Sequence, residues 1–143
     1  MGWHTKSSPS VNTRRLLVEH GGFLYDSDAY NDDCPYYVEV AGRHHLVLPY
    51  AFDTNDMRFF DRGGFVRAAD FSGYVIDAIE ALRAEARSAP LLLTIGLHTR
   101  IIGRPGRIAG LDHVIRHVTM APDLVVMTRE AMAGHWRSHA PPP

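Results

Sequence analysis

The chain is poor in cysteine. Cys34 stands alone among 143 residues, so no intrachain disulfide can form, and a reducing cytoplasmic setting is the natural expectation. Cys34-Pro35 also lies in a polar stretch without a neighbouring base, which leaves the thiol without the activation a nucleophile needs. No apolar run approaches the ~20 residues that span a bilayer, and Met1-Gly2-Trp3-His4 lacks the charged and apolar blocks of a secretory signal, so no membrane partner is expected. Neither sign of charge dominates. With 15 Lys and Arg against 16 Asp and Glu the net charge is -1, which gives no electrostatic footprint for nucleic acid. Internal repeats and low-complexity tracts are also absent. What remains, at 45% hydrophobic and 22% charged residues, is the composition of one ordinary domain over residues 1–143, with Ala140-Pro141-Pro142-Pro143 as a disordered tail.

The chain is organised around residues 90–107. A short apolar run between Pro90 and Gly96 reads as a strand buried on both faces, and it empties into a polar segment carrying His98, Arg100, Arg104 and Arg107. In α/β folds ligands bind beyond the carboxyl ends of parallel strands, so His98 is a candidate functional residue. Pro105 then opens a helix, because its missing N–H costs nothing in a first turn.

Upstream, Asn12 or Thr13 caps a helix reaching His20, with Leu16, Leu17 and Val18 facing inward and Gly21-Gly22 closing it. A short strand at Phe23 to Tyr25 leads into residues 26–33, where four Asp residues read as a solvated acidic turn. Tyr37 to Val40 and His45 to Tyr50 flank Ala41-Gly42-Arg43-His44 as a β-hairpin. Residues 51–65 then form a long polar loop. A helix capped by Asp70 runs to about Ser88 with Phe71, Val75, Ile79 and Leu82 on one face; a second follows Pro105; Leu124-Val125-Val126-Met127 reads as another buried strand; and Thr128 caps a closing helix with Met132 and Trp136 inward. This alternation predicts parallel βαβ units with right-handed crossovers.

Nine histidines invite a search for metal pairs. His113 and His117 are four apart on a helix but lie opposite Leu111 and Ile115, facing solvent without the Glu of a His-Glu-x-x-His motif. His135 and His139 straddle Trp136 near the tail, and His44-His45 alternate between the faces of a hairpin. All six are expected at the surface, with no metal site among them.

Several segments together resemble a known family. Gly2-Trp3-His4-Thr5, Asn12-Thr13-Arg14-Arg15-Leu16, Gly21-Gly22-Phe23-Leu24-Tyr25-Asp26-Ser27-Asp28-Ala29-Tyr30-Asn31-Asp32-Asp33, Leu46-Val47-Leu48-Pro49-Tyr50, Asp53-Thr54-Asn55-Asp56-Met57-Arg58-Phe59 and Gly96-Leu97-His98 are similar to the C-terminal half of bacterial allantoinases of the polysaccharide deacetylase superfamily. Arg129 to Trp136 matches that family's closing helix. The resemblance implies an α/β fold, a partial (β/α) barrel of the deacetylase type with a β-hairpin insertion, and hydrolysis of non-peptide C–N bonds. Two departures qualify it. The family's acidic first motif and its His-x-x-x-His pair belong to an N-terminal half with no match here. An arginine expected before Ser8-Pro9 is replaced by Lys6, which lacks the planar fork that grips a carboxylate.

Opening a cyclic ureide, or removing an acetyl group from an amino sugar, needs an activated water, oxyanion stabilisation and a proton for the leaving nitrogen. By resemblance His98 is the acid, set by a carboxylate neighbour that is either Asp28 or Asp56, while Tyr30, Asn55, Arg100, Arg104 and Lys6 are candidates to hold the substrate. No cofactor is expected in this chain, and a divalent metal such as zinc would come only with the N-terminal half. An open barrel edge calls for a cover, so an N-terminal half-barrel subunit or a homo-oligomer is the expected partner, and the isolated chain is expected to turn over poorly. The alternative is a non-catalytic half-barrel that serves as a binding module.

Overall fold

The computed structural model describes residues 1–6, 8–86 and 89–143. It divides into two compact units, Met1–Tyr50 with Met127–Pro143, and Ala51–Val126.

The first unit is built on a four-stranded sheet of order β1-β2-β4-β3, comprising β1 (Gly2–Trp3), β2 (Tyr25–Asp26), β3 (Tyr36–Val40) and β4 (Arg43–Val47). β1, β2 and β4 are parallel, and β3 runs antiparallel to β4. The hairpin sits where alternation and Gly42 place it. Its two-residue turn puts both Ala41 (φ 50°) and Gly42 (φ 71°) in the left-handed region, the geometry that matches strand twist, and Ala41 is the residue that bears the strain. Leu46, Val47 and Leu48 are wholly buried because β4 is central and covered on both sides. Helix α1 (Thr13–His20) buries Leu17 and Val18, whereas Leu16 is turned outward at 54% exposure, since three consecutive residues span too wide an arc for one helical face. The closing helix α5 (Arg129–His139) is capped as expected, with the Thr128 side chain accepting from Ala131 N, and it buries Ala133 between the half-buried Met132 and Trp136.

The second unit is helical. Helix α2 (Ala68–Glu85) packs on α4 (Ile108–Met120), and Phe65, Phe71, Val75, Ile79, Ile102 and Val114 form its core. Asp70 proves to be the third residue of α2 rather than its cap: its carboxylate reaches back to the N–H groups of Arg67 (2.7 Å) and Val66 (2.9 Å). The end expected near Ser88 lies outside the described residues. The loop expected at residues 51–65 contains a 3-10 helix, Asp56–Phe60, braced where the Arg58 guanidinium covers both Phe65 and Tyr74 and Tyr74 donates to Asp53 Oδ2 at 3.0 Å. Pro105 precedes α4 by a full turn, and a four-residue helix α3 (Thr99–Ile102) occupies the polar segment before it.

Two expected strands are not formed. Among the described residues, 91–95 and 124–127 belong to no ladder, and a single parallel bridge joins Asn55 to Gly96. Val125 and Val126 are 73% and 81% exposed rather than buried. Apolarity marks a segment that prefers burial, but a strand exists only when another strand satisfies its backbone, and none does so here.

Gly110 marks the closest approach of α2 and α4, where an added Cβ would stand 2.5 Å from the Ala68 carbonyl oxygen. Gly110→Ala is therefore expected to force the helices apart and cost about 1–3 kcal/mol, read as a lower urea midpoint at unchanged slope; an unaltered midpoint would show that the crossing yields freely.

Candidate active site

The best-built constellation of the second unit grows from two adjacent chain segments. Thr54 Oγ1 donates to Thr94 O at 2.6 Å, Asn55 bridges Gly96, and Asp56 N donates to Gly96 O at 2.9 Å, so residues 54–56 are zipped onto 94–96. The Asn55 side chain accepts from Met57 N at 2.8 Å and so caps the 3-10 helix. This zip delivers the Asp56 carboxylate, wholly buried, to the start of α3. There Oδ2 accepts from His98 N at 2.7 Å and Ile102 N at 3.2 Å, and Oδ1 lies 2.7 Å from His98 Nδ1. Since a carboxylate accepts, Nδ1 carries the hydrogen and Nε2 keeps its lone pair. Among the described residues Nε2 makes no hydrogen bond, while the His98 side chain is 29% exposed. One buried acid thus fixes both the backbone and the ring of a histidine whose other nitrogen is presented outward. Of the two carboxylates the sequence offered, Asp56 is the one seen beside His98.

Asp28 belongs to the first unit, where its carboxylate accepts from Thr5 N (2.7 Å) and Thr5 Oγ1 (2.6 Å) and lies 3.4 Å from His4 Nδ1. Two residues earlier, Asp26 is wholly buried, takes the Arg14 fork through Oδ2 (2.6 Å) and Oδ1 (3.0 Å), and accepts from Asp28 N at 3.0 Å. The acidic turn is therefore solvated only in its second half, where Asp32 and Asp33 are exposed, while Asp26 and Asp28 are held by the fold. Burial by itself would raise the Asp26 carboxyl, but His45, Arg14 and the Asp28 N–H outweigh it and hold it well below the ordinary carboxylate range. His45, expected at the surface, is buried with Nε2 3.2 Å from Asp26 Oδ2, an ion-pair distance without hydrogen-bond alignment.

Of the remaining candidates, Tyr30 stands edge-on to Tyr50 with centroids 6.2 Å apart, and burial followed by the Asp28 charge raises its hydroxyl. Lys6, Arg100 and Arg104 are exposed. His117, expected to face solvent, instead reaches α2 and lies 2.7 Å from Glu80. His135 and His139 stack at 4.1 Å on the outer surface. Among the described residues no three His, Cys, Asp or Glu side chains converge as a metal set, and no helix is long and apolar enough to cross a membrane.

Sequence reasoning missed Arg129, Arg14 and His4. Arg129 donates through Nε (3.0 Å) and Nη2 (2.6 Å) to Ser27 Oγ, and through Nη2 to the carbonyls of Leu48 and Pro49 (3.1 Å), so the first residue of α5 ties together the ends of β2 and β4. Its burial lowers the guanidinium from its ordinary value. The available signal was an Asp spaced two residues from another directly after an apolar strand, a pattern that buries one acid and demands a cation.

The fold has close counterparts. No family model matches the chain. A Schizosaccharomyces pombe protein named polysaccharide deacetylase is 38% identical over 97% of the chain and 48% of its own length. The crystal structure of PuuE allantoinase matches at 43% identity and TM-score 0.90, covering 98% of the chain and 47% of that structure. The crystal structure of a Pseudomonas aeruginosa PAO1 protein titled polysaccharide deacetylase matches equally well, at 43% identity and TM-score 0.90 over 98% of the chain and 48% of that structure. The chain is thus a homologue of proteins of the polysaccharide deacetylase superfamily and shares their mixed α/β fold. It spans about half the length of these relatives, consistent with a C-terminal half.

Because Asp26 has its carboxyl depressed in the folded state, the stability it contributes is complete above its ordinary value of 3.8 and is lost as pH falls below it. Asp26→Asn should lower stability near pH 7 by about 3 kcal/mol, by stranding Arg14, and should flatten the loss that sets in below about pH 4. Urea unfolding at several pH values measures both; an unchanged acid slope would refute the assignment.

Proposed function

We propose that the chain carries the Asp56–His98 acid–base element of a hydrolase acting on non-peptide C–N bonds, as in its allantoinase and deacetylase relatives, within a partial (β/α) barrel. The observation that supports this most directly is the triple anchorage of Asp56 on His98 and α3. In the proposed reaction water attacks the carbonyl carbon and gives a proton to the lone pair of His98 Nε2, and the imidazolium so formed hands that proton to the leaving nitrogen as the C–N bond breaks. Asp56 keeps the ring in the tautomer that presents Nε2 and compensates the imidazolium charge when Nε2 is protonated. Arg100 and Arg104, exposed around α3, suit an anionic or ureido group. The substrate class is a small cyclic amide or ureide, or an acetylated amino sugar.

In this reading a second polypeptide surface completes the site, either an N-terminal half-barrel subunit or a further copy of the chain. The exposure of Val125 and Val126 in a segment without a ladder supports it, because an apolar stretch with free backbone groups gains by pairing. The same feature favours the second reading, a half-barrel that binds a partner without catalysis.

His98→Gln and Asp56→Asn should each reduce hydrolysis of allantoin or N-acetylglucosamine by at least about 100-fold in the chain purified with whatever accompanies it. Full activity in His98→Gln would sink the acid assignment, and no hydrolysis by the unaltered protein would leave the binding module. Light scattering of the purified chain should give a mass above that of one copy, and Val125→Lys with Val126→Lys should return it to one; a monomer throughout would remove the association argument.

A further inference from the structure

The strands β1, β2 and β4 are parallel, so the residues that follow them leave the sheet along one edge: His4-Thr5, then Ser27 to Tyr30, then Leu48 to Tyr50. Ligands of α/β sheets bind beyond such carboxyl ends. Backbone bonds carry the order past the strands, from Ser27 N to Trp3 O (2.9 Å), Leu48 N to Asp26 O (2.9 Å) and Tyr50 N to Ala29 O (2.8 Å). Arg129 locks the second and third of these turns together from the first residue of α5.

His4 stands at this edge. Its ring stacks on Tyr50 with centroids 4.6 Å apart and planes 20° from parallel, and its Nδ1 lies 3.2 Å from Ser27 O and 3.4 Å from Asp28 Oδ1. A carbonyl oxygen and a carboxylate both accept, so Nδ1 holds the hydrogen and Nε2 holds a lone pair. The side chain is 35% exposed, and among the described residues Nε2 has no hydrogen-bond donor. Asp28 is fixed in turn by Thr5 N and Thr5 Oγ1, and Thr5 Oγ1 accepts from Trp3 Nε1 at 3.0 Å. Two independent holds on one ring, a stacked aromatic and a pair of acceptors on Nδ1, exceed what a surface histidine needs.

We propose that His4 is a ligand-binding residue whose Nε2 accepts an N–H from an amide or ureido group, with Tyr50 and Asp28 as positioning residues and Tyr30 as the neighbouring aromatic wall. The assignment of ligand class rests on the hydrolase reading above, whereas the poised lone pair does not. Asp28 acts here through His4 and not as an acid or base.

Ring-nitrogen NMR on the full chain, purified with any partner that accompanies it, tests this. His4 should show the Nδ1–H tautomer; an Nε2–H tautomer overturns the proposal whatever else is found. Allantoin and N-acetylglucosamine are then titrated while the Nε2 resonances of His4 and His98 are followed separately. Saturable shifts at both support both assignments, and His4→Gln, or Asp28→Asn in a variant whose remaining spectrum is preserved, should weaken binding about tenfold. A shift at His98 alone overturns the proposal and leaves the hydrolase reading standing. A shift at His4 alone upholds the proposal and overturns the acid assignment of His98. No shift at either overturns both.

Discussion

A single buried carboxylate holds the candidate site of the second unit together. Asp56 has no exposure to solvent, and its charge is met by three donors, the backbone and ring of His98 before α3 and the N–H of Ile102 at the helix end. An ion removed from water survives only when its lone pairs are filled, so the geometry of the Gly96–Ile102 turn and the charge of Asp56 are mutually required. Removing either would leave the other without purpose. This coupling is why a four-residue helix, too short to persist by its own hydrogen bonds, keeps a defined orientation.

Asp26 applies the same logic in the first unit with different partners. Its fork from Arg14 brings α1 against β2, and the Asp28 N–H it receives sets the direction of the chain leaving the strand. In both units a wholly buried aspartate at or beside a segment end organises the turn where polar side chains gather. Both have a histidine close by: His98 beside Asp56, His45 beside Asp26 and, one turn further, His4 beside Asp28.

Much of this was legible in the sequence, and the failures share a cause. Periodicity located α1, α2, α4 and α5, since each buries one face and local spacing determines which. Gly42 located the hairpin for an equally local reason. Residues 91–95 and 124–127 were misread as strands because apolar runs report a demand for burial, not the presence of a neighbour. His98 was singled out by its place after an apolar run, but its partner could not be chosen between Asp28 and Asp56, as 42 residues separate the pair that forms. The role of Arg129 went unread: a basic residue opening a helix looks solvated until Ser27, 102 positions away, is seen to receive it. Long-range polar pairs leave no periodic trace.

The first unit is assembled from two lengths of chain that enclose the whole of the second in sequence. Contacts such as that of Arg129 with Ser27 close a very long loop, and their entropy is recovered only once the intervening residues have been made compact. Continuous in sequence, Ala51–Val126 can condense as it is synthesised, whereas the sheet edge carrying His4, Asp28 and Tyr50 stays without its fastening until α5 is made. The two polar turns thus make different demands on the chain: the one around His98 is complete within a continuous length, and the one around His4 also needs α5.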